Sequence, residues 1–180
     1  MILTYKECIN KYGSDYMIKK EINAGNLVRE DRGIYSSDKK CSELEIVTSK
    51  YPKAIISGES AYFYHGLTDV IPEYYVLATK RSETRIKDKR VKQLFVNDNL
   101  FEKEKTKIYH NGVSINIYSR ERLLVDLIRF KHNYPFDFYK EVIGSYREIA
   151  DNLDFFAIES YVSEFRTCRS IIKSIQLEVL

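Results

Sequence analysis

The chain has 180 residues, 44% of them apolar, with a net charge of +3 and three cysteines, which suits one medium domain or two small ones and argues against a disulfide framework. No run approaches the roughly 18 apolar residues of a membrane span, and no charged-then-apolar leader opens the chain. A soluble, cytoplasmic protein without a membrane partner is expected, and a charge this small leaves its distribution to identify any nucleic-acid contact.

Thr4 opens a first helix, with Glu7 three residues on to complete a capping box. Tyr5, Cys8, Ile9 and Tyr12 then fall at i, i+3, i+4 and i+7 on one face, and Gly13 stops the helix. Ser14 or Asp15 caps a second helix, with Met17, Ile18 and Ile22 inward and Gly25 supplying the left-handed C-terminal turn. Its opposite face carries Tyr16, Lys19, Lys20 and Asn23, side chains suited to phosphates and base edges, as on a recognition helix. Leu27 to Glu30 and Gly33 to Ser36 read as short strands around a turn at Asp31 and Arg32. A helix-turn-helix with a hairpin appended is a winged helix, and Arg29 and Arg32 would flank the double-stranded DNA it binds. The same elements could also form a small scaffold or protein-docking module.

A polar connector from Ser36 to Lys40 leads to a helix capped by Ser42, with Leu44, Ile46 and Val47 inward, ending before Pro52. Two short helices and a hairpin bury little surface alone, so this helix is expected to cover their open side. The domain boundary falls near residue 52, giving a winged helix-turn-helix over 1–52 and a second domain over 53–180. In the second domain, Ala61, Tyr64 and His65 lie on a helix ended by Gly66, and Glu73 to Thr79 is a strand buried on both faces. Residues 80–92 hold seven basic side chains against two acidic ones, either a second nucleic-acid or partner contact or a solvated loop. Val91 to Val96 is a further strand. Lys107 to His110 and Val113 to Tyr118 form a hairpin through Asn111-Gly112, whose positions need positive φ. Ser119 caps a helix with Leu123, Leu124, Leu127 and Ile128 inward and Arg122 one turn before Asp126. Tyr139, Val142, Ile143 and Tyr146 line the next helix, and Phe155, Ile158, Val162, Phe165, Ile172 and Ile175 mark one or two final helices. The fold class is therefore α+β: an N-terminal winged helix-turn-helix, then a mixed, mostly antiparallel sheet with C-terminal helices.

Three sets of residues resemble, in order and spacing over nearly the whole chain, the AbiEi antitoxins of bacterial type IV toxin-antitoxin, abortive-infection systems. They are Gly25-Asn26-Leu27-Val28-Arg29 with Arg32-Gly33-Ile34-Tyr35; Ser57-Gly58-Glu59-Ser60-Ala61 with His65-Gly66-Leu67-Thr68-Asp69 and Ile71-Pro72; and Ser119-Arg120-Glu121-Arg122-Leu123-Leu124 with Asp126. The resemblance implies a winged helix that binds operator DNA and represses its own operon, and a C-terminal domain that counters a nucleotidyltransferase-like toxin, a phage-defence role. That family's DNA-binding domain usually begins with an extra helix, for which Ser42 to Tyr51 is the candidate substitute here. DNA-binding residues are then Tyr16, Lys19, Lys20, Asn23, Arg29 and Arg32, and the antitoxin surface is Arg85, Lys87, Lys89, Arg90, Arg120 and Arg122.

Enzymatic signatures are weak. Gly58-Glu59-Ser60-Ala61-Tyr62 lacks the second glycine of a nucleophile elbow. His65, His110 and His132 are scattered and far from the cysteines, and His65 reads as a helix-terminal structural residue. Arg120, Arg122 and Asp126 offer one carboxylate where two-metal chemistry needs more. No catalytic residue, metal or cofactor is expected. A stand-alone winged-helix regulator is the alternative function, and a nucleic-acid-processing enzyme a more distant one.

Overall fold

Thr4 and Glu7 satisfy each other at the start of the first helix. The Thr4 hydroxyl accepts from the Glu7 N–H at 3.4 Å, and Glu7 Oε2 accepts from the Thr4 N–H at 2.7 Å. Those bonds hold the Glu7 carboxyl below the usual carboxylate range. The computed structural model describes residues 1–37 and 41–180, which divide into the units Met1–Ala54 and Ile55–Leu180. Asp38, Lys39 and Lys40 of the expected polar connector lie outside the described residues.

In the first unit, α1 (Tyr5–Tyr12) and α2 (Asp15–Asn23) meet at Gly13, and the Ser14 hydroxyl accepts from the Met17 N–H at 3.3 Å. Gly25, at φ 77°, ends α2: its N–H bonds to Ile22 O, and the Asn26 N–H to Glu21 O, each at 3.0 Å. Only a left-handed residue lets both carbonyls be satisfied. The strands β2 (Val28–Asp31) and β3 (Ile34–Ser36) form the hairpin, with an irregular register between Arg29 and Asp31. The sequence pattern does not reveal β1 (Ile2–Thr4), which pairs antiparallel with β3 and gives the order β1-β3-β2. Three residues are too few to show a period of two. Leu3, Cys8, Ile18, Leu27 and Tyr35 make the core, with Ile9, Tyr12 and Ile22 packed around it. The helix α3 (Glu43–Lys50), capped by Ser42, buries Leu44, Ile46 and Val47 and packs on β1 and β3.

The second unit contains β4 (Ile55–Ile56), α4 (Gly58–Tyr64), β5 (Tyr75–Lys80), β6 (Val91–Val96), α5 (Asp98–Phe101), β7 (Lys105–His110) and β8 (Val113–Tyr118). After them come α6 (Arg120–Arg129), α7 (Phe136–Glu148), α8 (Phe155–Val162) and α9 (Cys168–Glu178). Its five strands run β6-β5-β4-β8-β7. The sheet is evenly mixed rather than mostly antiparallel, because β5 pairs parallel with β6 and β4 pairs parallel with β8. The basic stretch between β5 and β6 is long enough to carry the chain back to the starting end of the sheet, which parallel pairing requires. Gln93 pins that crossover: its Oε1 accepts from the Ile86 N–H at 2.7 Å, and its Nε2 donates to Thr84 O at 3.1 Å and Thr79 Oγ1 at 2.7 Å. The hairpin at Asn111 and Gly112 forms with positive φ at both positions, 49° and 82°.

Tyrosine hydroxyls brace the helices to one another. Tyr62 donates to Leu123 O at 3.1 Å, Tyr146 to Arg120 O at 2.8 Å, and Tyr161 to Asp126 Oδ1 at 3.2 Å. A buried phenol must find a partner, so each ring brings apolar area and one directional constraint. All four expected positions of α7, Tyr139, Val142, Ile143 and Tyr146, are buried. Near the end of the chain Ile158, Val162 and Ile175 are buried, whereas Phe155 is exposed and Ile171 takes the inward position beside Ile172. No described helix is long and apolar enough to cross a membrane.

Candidate nucleic-acid interface

The position of α2 follows from its caps and its inward face. Ile18 is buried, Met17 and Ile22 are half-buried, and the Tyr5 hydroxyl donates to Asp15 Oδ1 at 2.9 Å, tying the start of α1 to the start of α2. That bond raises the Tyr5 phenol above its ordinary range, since the neutral form is the donor. With the apolar residues turned in, Tyr16, Lys19, Lys20 and Asn23 are left exposed, Tyr16 by 74%. In the hairpin, Arg29 and Arg32 are exposed as well, while both neighbouring carboxylates turn to structural partners. Glu30 Oε1 accepts from the Ser36 hydroxyl at 2.5 Å, and Asp31 Oδ2 pairs with Lys50 Nζ at 2.9 Å, joining the hairpin to α3. The hairpin therefore presents cations outward and engages its anions within the unit. Such a surface suits a polyanion.

In the second unit the six basic residues assigned to an antitoxin surface separate into distinct groups. Arg85, Lys87 and Lys89 are exposed on the crossover between β5 and β6. Arg90 is half-buried and chelates Asp88 through Nε at 2.9 Å and a terminal nitrogen at 2.8 Å. Arg120 is exposed and donates to His65 O at 3.3 Å. Arg122 is the correction: it is 1% exposed and cannot belong to a surface.

Arg122 is instead the centre of a buried network. One terminal nitrogen donates to Leu100 O at 2.5 Å and Lys103 O at 2.6 Å, and Nε donates to Asp126 Oδ2 at 3.5 Å. Its guanidinium lies 3.4 Å from the Tyr118 ring centre and 4.8 Å from that of Tyr161. Asp126 Oδ1 also accepts from Arg129 at 2.9 Å. Burial pushes the Asp126 carboxyl up, and Arg122 and Arg129 pull against it. Arg122, Asp126 and Arg129 stand at i, i+4 and i+7, one helical stripe, and that spacing was the available signal for Arg129. The stripe borders a cleft of about 450 Å³ with Tyr62, Tyr134, Leu94 and Phe95 among its walls. Burial raises the Tyr134 phenol to about 12.

The segment Ser57 to Ala61 joins α4 to the sheet. The Ser60 hydroxyl donates to Tyr74 O at 2.9 Å and accepts from the Val76 N–H at 2.8 Å. His65 bonds through Nε2 to Tyr118 O at 2.8 Å. A carbonyl only accepts, so Nε2 carries the proton. Burial holds the imidazole below its ordinary range. Thr68 and the Asp69 N–H both bond to Glu141 Oε1, at 2.6 and 3.2 Å, anchoring the following loop to α7. Neither a known family model nor a curated protein matches the chain.

Proposed function

We propose that the chain is the antitoxin and transcriptional autorepressor of a bacterial type IV toxin-antitoxin system acting in abortive phage infection. In this reading the first unit is a winged helix-turn-helix that binds double-stranded operator DNA, and the second counters a nucleotidyltransferase-like toxin. One observation carries the DNA-binding part: the apolar residues of α2 turn inward while Tyr16, Lys19, Lys20 and Asn23 stay exposed, beside a hairpin whose Arg29 and Arg32 are also exposed. The succession strand, helix, helix, hairpin, with β1 paired to β3, supports this reading. The packing of α3 on β1 and β3 gives that small sheet its support. The antitoxin part is supported by the family resemblance and by the exposed Arg85, Lys87 and Lys89.

Fluorescence anisotropy with the duplex upstream of the chain's own reading frame, across a salt series, tests the DNA part. Replacing Arg29 and Arg32 with Ala is expected to weaken binding and to lower the salt slope by about 1 for each phosphate left without its cation. An unchanged slope would sink the assignment of the hairpin, and no preference for that duplex over random DNA would sink the repressor. For the antitoxin part, cells expressing the product of the adjacent reading frame should regain growth when the full chain is supplied.

A further inference from the structure

The open edge of the second sheet has the features of a receptor for another strand. β6 is the terminal strand of the order β6-β5-β4-β8-β7. Its ladder to β5 is bounded by the Tyr75 N–H bonded to Arg90 O and the Arg81 N–H bonded to Val96 O, each 2.8 Å. With a period of two, the even-numbered residues of β6 face β5, and the N–H and C=O groups of Gln93 and Phe95 face away from the sheet. The outward Val91 N–H is taken by Asp88 O at 3.0 Å, so the open stretch starts just beyond it. Exposed strand edges are commonly blunted with lysine, as at β7, where Lys105 and Lys107 are exposed. On β6 the one exposed lysine, Lys92, is paired with Glu59 at 3.2 Å, and the exposed side chains beyond it are Leu94 and Phe95, 36% and 46%. Both border the cleft described above. The bond from the Ile86 N–H to Gln93 places the crossover, with exposed Lys87 and Lys89, alongside the same strand.

We propose that β6 accepts an extended segment of a partner protein as a further strand, acidic where it passes Lys87 and Lys89 and apolar where its side chains reach the cleft beside Leu94. Backbone bonds at an edge supply affinity, and a pocket for alternate side chains supplies selectivity. The positive charge of the crossover decides the sign of the segment, and it opposes a second copy of this chain pairing through β6. The identity of the partner as the toxin rests on the antitoxin reading; the chemistry of the segment does not.

The test uses the full chain and a synthetic peptide that alternates glutamate with valine around one central phenylalanine. Binding should slow amide exchange at Gln93 and Phe95. Phe95→Pro, which removes an outward N–H that the β5 ladder does not use, should weaken binding by about tenfold or more, whereas Phe95→Ala retains the backbone part. Backbone N-methylation of the peptide at its bonding residues should abolish binding with the protein unaltered, and Lys87→Glu with Lys89→Glu should weaken it. Equal binding of the N-methylated peptide, or of a peptide with lysine in place of glutamate, would overturn the proposal. So would self-association through β6 that the peptide cannot displace, or protection of Lys87 and Lys89 by a thymidine oligonucleotide with no peptide binding. Growth rescue that persists while the peptide fails to bind would reject this inference alone. Peptide binding without growth rescue would reject the antitoxin reading and keep the strand receptor.

Discussion

Arginine does opposite work in the two units. In the first, Arg29 and Arg32 stand in solvent beside a small core, and the carboxylates next to them are engaged elsewhere in the unit. In the second, Arg122 is buried among two carbonyls, a carboxylate and two tyrosine rings. A guanidinium cannot lose its charge, so burial is tolerable only where its donors are occupied. The contrast teaches that a cation's role is set by the partners the fold gathers around it. The first unit leaves Arg29 and Arg32 in solvent and draws stability from caps and a few buried side chains. The second engages Arg122 and Arg129 internally, together with tyrosine braces, and keeps its exposed cations on the crossover and at Arg120.

The largest expected effect breaks the second unit. Arg122→Ala leaves Leu100 O and Lys103 O without that donor and Asp126 with one fewer cation, so it should cost about 3–5 kcal/mol. Urea unfolding followed by amide exchange would show the loss within residues 55–180, with the amides of Met1–Ala54 little changed. A loss under about 1 kcal/mol would mean that the network is not what holds α6 to its neighbours.

A smaller effect should fall on the first unit. Thr4→Ala removes one half of the capping box and should cost about 1 kcal/mol. With so few buried side chains in that core, the loss should be visible as faster exchange throughout α1 and α2. Exchange rates there equal to wild type would show that α1 is held by packing alone.

The smallest effect sharpens the comparison by pH. Burial lowers the His65 imidazole pKa, because the folded unit favours the neutral ring. Its contribution is fully present above the unfolded value of about 6.5 and is lost as pH falls through the lower folded value. A proton NMR titration should therefore place the His65 midpoint below the unfolded value of about 6.5. A midpoint at or above that value would contradict the burial of His65.

Local chemistry made much of this legible. Ser14, Ser42 and Ser119 each cap the helix expected of them, Gly25 closes α2, and Asn111-Gly112 turns the hairpin, because each of these is decided by residues a few positions apart. The exposed face of α2 could likewise be read from helical spacing once its apolar residues were turned inward. Three features could not. β1 is three residues long and is defined by its partner β3. The parallel pairing of β5 with β6 depends on which way the crossover carries the chain, and charge-rich composition is silent on direction. The place of Arg122 depends on nearby Tyr118 and on Leu100, Lys103 and Tyr161, drawn from distant parts of the chain, whose oxygens and rings make a buried guanidinium tolerable. Spacing along the helix told which residues share its face, and only the assembled unit decided whether that face met water or other side chains.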